Sequence, residues 1–138
     1  VNSVEGKSIY YLVDDSAHPS GYGGTGAGIG VSKRVLKAID PLTGDPVWKH
    51  EYPNLNGAPT TVAPGMLTTA ANLLVTGDDQ KNLIVYSADK GQILWHQELG
   101  ANVSNGPISY MLDGKQWLLV GAGDSLYAYA LPDGAASR

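Results

Sequence analysis

The 138-residue chain contains no cysteine and no phenylalanine. Without cysteine, neither a disulfide framework nor a thiolate metal site can form. Charged residues make up only 16% of the chain, the net charge is −4, and no Lys/Arg cluster occurs, which excludes a basic stripe for a nucleic-acid partner. No apolar run approaches the roughly 20 residues of a membrane span. The apolar fraction of 43% is that of an ordinary globular protein.

The chain instead has 18 glycines, 8 prolines and an internal repeat. The segment Leu36–Trp48 recurs as Leu83–Trp95, and the leucines, the turn glycines Gly44 and Gly91, and the tryptophans are each 47 residues apart. A shorter third copy, Leu126–Gly134, ends before any tryptophan. A period of roughly 40–50 residues predicts stacked supersecondary units, with β-propeller blades as the leading architecture.

The local pattern predicts about ten short strands and no helix. Residues 73–75, 83–86 and 117–120 are apolar on both faces, which favours all-β antiparallel propeller blades packed between neighbours over a β-sandwich. We therefore expect one partial propeller domain over residues 1–138, with three blades at 8–52, 53–99 and 100–134. Strands are expected at 8–13, 35–39, 47–52, 73–76, 83–87, 93–98, 107–110, 117–120 and 126–130, with a glycine-rich loop from His18 to Gly30.

The spacing Ala38-x-Asp40-x-x-Thr43-Gly44-x-x-x-Trp48 resembles the tryptophan-docking motif of quinoprotein dehydrogenases. These are eight-bladed propeller enzymes that use pyrroloquinoline quinone (PQQ) and usually calcium. Residues 65–78, 107–117 and 126–133 are similar, in order, to further stretches near the C-terminus of the alcohol-type enzymes. The resemblance implies the C-terminal part of a periplasmic enzyme that oxidises an alcohol or aldose.

The resemblance also implies roles for particular residues. The residues expected to dock neighbouring blades against each other are Ala38, Asp40, Gly44, Trp48, Gly91 and Trp95. The residues expected to contact PQQ are Ala63, Gly65 and Met66, with Asn102 to Asn105 as a secondary candidate. Many family members have Trp-Gly-Gly where this chain has Ala63-Pro64-Gly65. The family's calcium ligands and catalytic Asp lie upstream of the matched part, so no catalytic or metal residue is assigned. PQQ and calcium are expected in the parent enzyme, and the chain alone is expected to be inactive.

Three blades do not close a ring, because propellers contain about four to eight. The open sheet edges of such a piece favour pairing with other chains, so we expect either a fragment of a longer protein or completion by self-association. The alternative function is a non-enzymatic propeller scaffold of the outer-membrane assembly type, which carries the same repeat. A lectin-like β-domain is a third option, but it needs ligand-binding side chains repeated on exposed loops.

Other motifs have ordinary structural explanations. Gly21-Tyr22-Gly23-Gly24-Thr25-Gly26 fits G-x-G-x-x-G, but a dinucleotide site needs a following helix and a strand is predicted there; an inter-strand loop is the first interpretation, and a rim loop over a cofactor mouth is the second. Asp78-Asp79 could offer carboxylates to calcium, but turn chemistry is favoured. Trp117 is assigned to the core.

The three histidines, His18, His50 and His96, do not predict a metal site. His50 is two residues after Trp48 and His96 is one residue after Trp95, so the two histidines point to opposite faces of equivalent strands. Ser104 and Ser109 have no neighbouring His or Asp in the sequence that would activate a nucleophile.

Overall fold

A computed structural model describes residues 1–12, 24–52 and 64–130. This part of the chain folds into three antiparallel sheets and contains no helix. The first sheet consists of β1 (Asn2–Tyr11), β2 (Thr25–Ile39) and β3 (Pro46–Glu51), in that order. The second is β4 (Met66–Thr68), β5 (Leu73–Gly77), β6 (Asn82–Ser87) and β7 (Ile93–Glu98). The third is β8 (Ile108–Leu112), β9 (Lys115–Ala122) and β10 (Ser125–Ala130).

The two copies of the repeat occupy equivalent places in their sheets. In the first sheet Ala38 lies opposite Trp48 in the register, and in the second sheet Val85 lies opposite Trp95. A register shift follows each pair, between Ala38 and Ile39 and between Val85 and Tyr86. The 47-residue spacing therefore reflects a repeated hairpin in which the tryptophan strand follows the motif strand.

Two apolar clusters hold the sheets together. One contains Leu36 from the first sheet, Tyr52 directly after it, and Leu74, Ile84 and Tyr86 from the second sheet. The other joins the second and third sheets, with these buried members: Val75, Leu83, Leu99, Val103, Val120 and Ala122. Alternating residues of β5 and β6 thus face opposite neighbours, and both faces of these two strands are covered, as the two-sided apolar pattern predicts.

The predicted glycine loop from His18 to Gly30 is wrong at its C-terminal end. Strand β2 begins at Thr25, with Gly26 opposite Tyr10 and Gly28 opposite Ser8. The ladder needs only backbone groups, and the Tyr10 ring covers Gly26, since a Cβ there would lie 2.9 Å from Tyr10 Cε1. An aromatic side chain across from a strand glycine supplies the packing that the glycine lacks. Residues 21–23 of the G-x-G-x-x-G motif lie outside the described residues.

The other differences are shifts of strand ends and one additional strand. Met66–Thr68 forms β4, a strand that the local pattern does not predict, and it pairs with Leu74–Thr76. β1 begins at Asn2, earlier than the expected residue 8. The division into blades at 8–52, 53–99 and 100–134 stays a prediction. In the described part of the chain no helix is long and apolar enough to cross a bilayer.

Candidate functional site

The segments that enter β4 and β8 meet at two glycines. A Cβ on Gly65 would clash with the backbone N and Cα of Gly106. A Cβ on Gly106, in contrast, would lie 3.8 Å from its nearest neighbours, which are backbone atoms of Gly65 and Met66. Glycine at position 65 therefore permits a backbone-to-backbone approach of the second and third sheets at this end of the molecule.

Two side chains from other strands hold the Pro64–Gly65 backbone. The Thr76 hydroxyl on β5 donates to the Gly65 carbonyl at 3.1 Å and is fully buried. The Asn2 amide on β1 donates to the Pro64 carbonyl at 3.3 Å. Sequence analysis missed both residues, because a threonine and an asparagine at strand positions carry no local signal of a partner 11 or 62 residues away.

The exposed side chains on the segments beside Gly65 and Gly106 are neutral. Met66 is 40% exposed, and Asn102, Ser104 and Asn105 are exposed in the segment that leads to Gly106. Ala63 lies outside the described residues. No group of three or more His, Cys, Asp or Glu side chains that could hold a metal ion occurs among residues 1–12, 24–52 and 64–130. The Asn and Ser side chains suit hydrogen bonds to one edge of a polar cofactor. The charged groups of such a cofactor would need cations or a metal from another part of the protein.

The adjacent carboxylates Asp78 and Asp79 have separate partners. Asp78 Oδ1 accepts the backbone N–H of Gln80 and of Asn82, both at 2.8 Å, and Oδ2 accepts the Asn82 side-chain amide at 2.8 Å. Asp79 Oδ1 instead lies 2.5 Å from Arg34 Nη1 of the first sheet. Asp78 therefore stabilises the β5–β6 turn by accepting hydrogen bonds, and the two carboxylates do not converge on one cation.

The two histidines that the structure describes have different surroundings. His50 packs edge-on against Tyr52 at 5.0 Å and against Tyr86 at 5.7 Å between ring centroids. His96 lies opposite Ile84 in the register and is exposed on β7. His18 lies outside the described residues. Of these, His50 belongs to the aromatic contact between the first and second sheets.

Trp48 of the first sheet lies on the β6–β7 turn of the second sheet. Its indole Nε1–H donates to the Ala88 carbonyl at 2.9 Å. Gly91, with φ of +66°, lies against the ring, and a Cβ there would be 2.5 Å from Cδ2 and Cε3. The Tyr86 ring is stacked at 6.4 Å between centroids. These three contacts span two sheets, and Gly91 covers one face of the indole.

The turn that precedes Trp48 is fixed by Asp40. Its carboxylate accepts the backbone N–H of Leu42 at 2.8 Å and of Thr43 at 3.4 Å. Gly44 has a φ of +79° and donates its N–H to the Asp40 carbonyl at 2.8 Å. Aspartate at the start of the turn and glycine at the left-handed position are the residue types that such a turn requires.

Trp95 occupies the equivalent position in the second sheet and faces the third. Its ring meets Tyr129 edge-on at 5.8 Å and is 42% exposed. Tyr129 holds the place in the third copy that Tyr86 holds in the second. The rest of that copy, from residue 131 onward, lies outside the described residues. Trp117 on β9 is half-buried, with Lys115 Nζ 5.9 Å from its ring centroid.

Burial also shapes the electrostatics between the first two sheets. Desolvation raises the pKa of the Tyr86 phenol, as does the hydroxyl of Tyr52 at 3.5 Å. Desolvation likewise raises the pKa of Tyr52. Both phenols are therefore neutral at physiological pH, and neither has the lowered pKa of an activated nucleophile or base.

A family model matches most of the chain. The PQQ_2 model, described as outer membrane protein assembly factor BamB, matches residues 32–137. Among curated proteins, the quinoprotein alcohol dehydrogenase PedH of Pseudomonas putida is 37% identical over 89 residues, which are 64% of this chain and 14% of that protein. A quinoprotein ethanol dehydrogenase of Pseudomonas aeruginosa is 33% identical over 97 residues, 70% of this chain and 14% of that protein. The chain thus spans about one seventh of the length of these relatives.

Solved structures have the same fold. The quinohemoprotein alcohol dehydrogenase ADHIIG of Pseudomonas putida superposes with a TM-score of 0.71 at 22% identity, over 91% of this chain and 20% of that chain. The quinohemoprotein alcohol dehydrogenase of Comamonas testosteroni gives a TM-score of 0.59 at 32% identity, over 67% of this chain and 13% of that chain. These similarities confirm the predicted fold class: antiparallel β-propeller blades, whose three sheets do not form a closed ring in the described part of the chain.

Proposed function

Since the chain belongs to the PQQ-repeat family, we propose that it is the C-terminal propeller portion of a PQQ-dependent alcohol or aldose dehydrogenase of the periplasm. The observation that carries this proposal is the 37% identity over 89 residues to the quinoprotein alcohol dehydrogenase PedH. Similarity to the ethanol dehydrogenase of Pseudomonas aeruginosa covers 97 residues and supports the same reaction class. The remaining blades of that enzyme are the expected partners of the two outer sheets.

Bound PQQ would supply the two-electron acceptor for substrate oxidation, and the protein would bind and orient it. In this chain Gly65, Met66 and Ala63 are proposed to face the cofactor, with Asn102 to Asn105 beside them. The neutral donors at this end suit contact with one edge of the quinone. The groups that balance its negative charge, the calcium site and the catalytic base are proposed to lie in the other blades. The chain alone is therefore proposed to be inactive.

We assign the tryptophan contacts to structural docking rather than to ligand stacking. Trp48 would tie the first sheet to the second through the Ala88 carbonyl and Gly91, and Ala38 opposite it leaves room for the indole. Trp95 would tie the second sheet to the third in the same way. The recurrence of the indole at one position of each repeat supports this assignment, because a ligand platform needed once would not recur.

The test combines an activity assay with a binding assay. The purified chain, supplied with PQQ, calcium and ethanol, is expected not to reduce an artificial electron acceptor, and detectable PQQ-dependent reduction would contradict the proposed inactivity.

In a protein that joins this chain to the upstream blades, Met66→Ala is expected to weaken PQQ binding several-fold. Met111→Ala is the matched control, because Met111 is also exposed but lies within β8. Equal effects of the two substitutions would argue against Met66 as a cofactor contact.

A non-enzymatic scaffold is the second candidate. It is favoured by the description of the matching family as an outer membrane assembly factor and by Ala63 at the position where many of the dehydrogenases have tryptophan. A joined protein that folds but binds no PQQ, and that captures another protein through its loops, would support the scaffold over the enzyme.

A further inference from the structure

The second sheet is apolar on both of its faces, and hydrophobic burial alone does not determine which neighbour covers which face. Leu74, Ile84 and Tyr86 face the first sheet, and Val75, Leu83 and Val85 face the third. Apolar attraction is non-directional and proportional to area. A correct stack of sheets therefore needs an additional, directional contact.

A charge pair supplies one such contact at the first interface. Arg34 on β2 is 3% exposed and projects from the first sheet toward the second. Its Nη1 lies 2.5 Å from Asp79 Oδ1 in the β5–β6 turn, and its guanidinium lies 4.6 Å from the centroid of the Tyr52 ring. A nearly buried cation thus meets a carboxylate supplied by a different sheet.

Asp78 leaves its neighbour available for this contact. Because Asp78 accepts the hydrogen bonds that close the β5–β6 turn, the turn conformation is set without Asp79. Asp79 then projects from a turn whose backbone is already fixed by these hydrogen bonds. A preorganised carboxylate binds a guanidinium with less loss of side-chain freedom than a mobile one.

We propose that the Arg34–Asp79 ion pair selects the first sheet as the neighbour of this face of the second sheet and fixes the angle between the two sheets. A neighbour without a cation at this position would leave Asp79 without the partner it has here, and an apolar surface placed on the first sheet would bury Arg34 against hydrocarbon. Burying an unpaired charge is strongly unfavourable, so mismatched stacks are discriminated against. This inference does not depend on PQQ chemistry.

The second interface provides an internal contrast. The residue 47 positions after Arg34 is Lys81, which is exposed in the β5–β6 turn with a φ of +69°. The corresponding contact there is made by Leu83, Val103 and Val120, all buried and apolar. The repeat therefore conserves the apolar contacts of the stack but places a buried ion pair at one interface.

The test separates stability from geometry in the full 138-residue chain. Arg34→Met and Asp79→Leu are expected to lower the folding equilibrium constant by roughly tenfold to a hundredfold each, with the larger loss for Asp79→Leu, because Arg34 is buried whereas Asp79 is partly exposed. The double variant is expected to recover most of this loss, since apolar groups of similar volume can replace a buried pair. Lys81→Met is the matched control and is expected to change the constant by less than about threefold. Urea denaturation followed by tryptophan fluorescence measures all four.

The distance between the two sheets is measured with spin labels attached to introduced cysteines. Labelling is selective because the chain has no native cysteine. Labels at Lys7→Cys and Gln80→Cys, both exposed, report the distance between the two sheets near the ion pair. The unsubstituted background is expected to give a narrow distance distribution and the stable double variant a broader or shifted one. An unchanged distribution in the double variant, or single substitutions without any effect on stability, would overturn the proposal. Should the single variants fail to fold, the double variant alone still decides it.

Discussion

The indole of Trp48 lies directly on Gly91, although 43 residues separate them and they belong to different sheets. The contact is completed by the hydrogen bond from Nε1 to Ala88 O at 2.9 Å. Gly44 holds the equivalent position in the first sheet, with a similar positive φ, but a Cβ there would have nothing within 4 Å. The two glycines therefore differ in packing and not in backbone conformation.

This pair of glycines predicts a difference between two identical substitutions. Gly44→Ala is expected to destabilise the fold by about 1 kcal/mol, the cost of a left-handed conformation for alanine. Gly91→Ala adds a clash with the indole and is expected to cost about 3 kcal/mol or more. Urea denaturation of both variants measures the difference. Equal losses would mean that Trp48 does not pack on Gly91 in solution.

The sequence predicts the repeat-based part of the fold well, because glycine, aspartate and tryptophan at fixed spacing each have a local physical role. Asp40 and Gly44 form the turn that their residue types require, and β7 begins and ends where the pattern places it. The glycine-rich composition predicts a loop at Gly26 and Gly28, because a segment with so few bulky side chains cannot bury enough surface to order itself. Their place in β2 depends on pairing with Tyr10 and Ser8 in a distant segment.

The contacts of the candidate site could not be predicted, because each joins residues that are far apart in the chain. Thr76 looks like an ordinary strand residue until its hydroxyl is seen on the Gly65 carbonyl. Arg34 looks like a surface cation of a short strand, yet it is buried against Asp79. Neither residue type nor local spacing contains this information.

Glu51 on β3 predicts a measurable titration on the first sheet. Hydrogen bonds from Lys49 and then from Lys33 lower the pKa of the Glu51 carboxyl from 4.5 to about 2. Because the folded-state pKa is depressed, the stabilisation is present above about pH 4.5 and is lost as the pH falls toward about 2. Carboxyl NMR is expected to show a higher pKa for Glu51 in Lys49→Gln. The Lys7→Gln control is expected to leave the Glu51 pKa unchanged, and a shift there would argue against direct pairing.

The buried tyrosines predict loss of stability at alkaline pH. Burial raises the pKa of both Tyr52 and Tyr86, so the folded state holds these protons more tightly than the unfolded state. Stability is then constant below the unfolded value of about 10 and falls as the pH rises above it. Urea denaturation between about pH 8 and about pH 11 is expected to show this decline, with a smaller slope for Tyr86→Phe. Equal slopes for both proteins would exclude Tyr86 as a source of the effect.

Alanine substitutions at Gly65 and Gly106 are expected to affect stability differently, at the end of the molecule proposed to face the cofactor. A methyl group on Gly65 would strike the Gly106 backbone, which cannot move aside as a flexible side chain would. Gly65→Ala is therefore expected to cost about 2–4 kcal/mol and to separate the segments before β4 and β8. Gly106→Ala places its methyl at an ordinary contact distance of 3.8 Å and is expected to be neutral or to stabilise by about 0.5 kcal/mol, because alanine restricts the unfolded chain.

Amide hydrogen exchange along β4 and β5 measures whether these two segments separate. Faster exchange in Gly65→Ala alone is the expected outcome, and equal exchange in the two variants would show that the close approach is not maintained in solution.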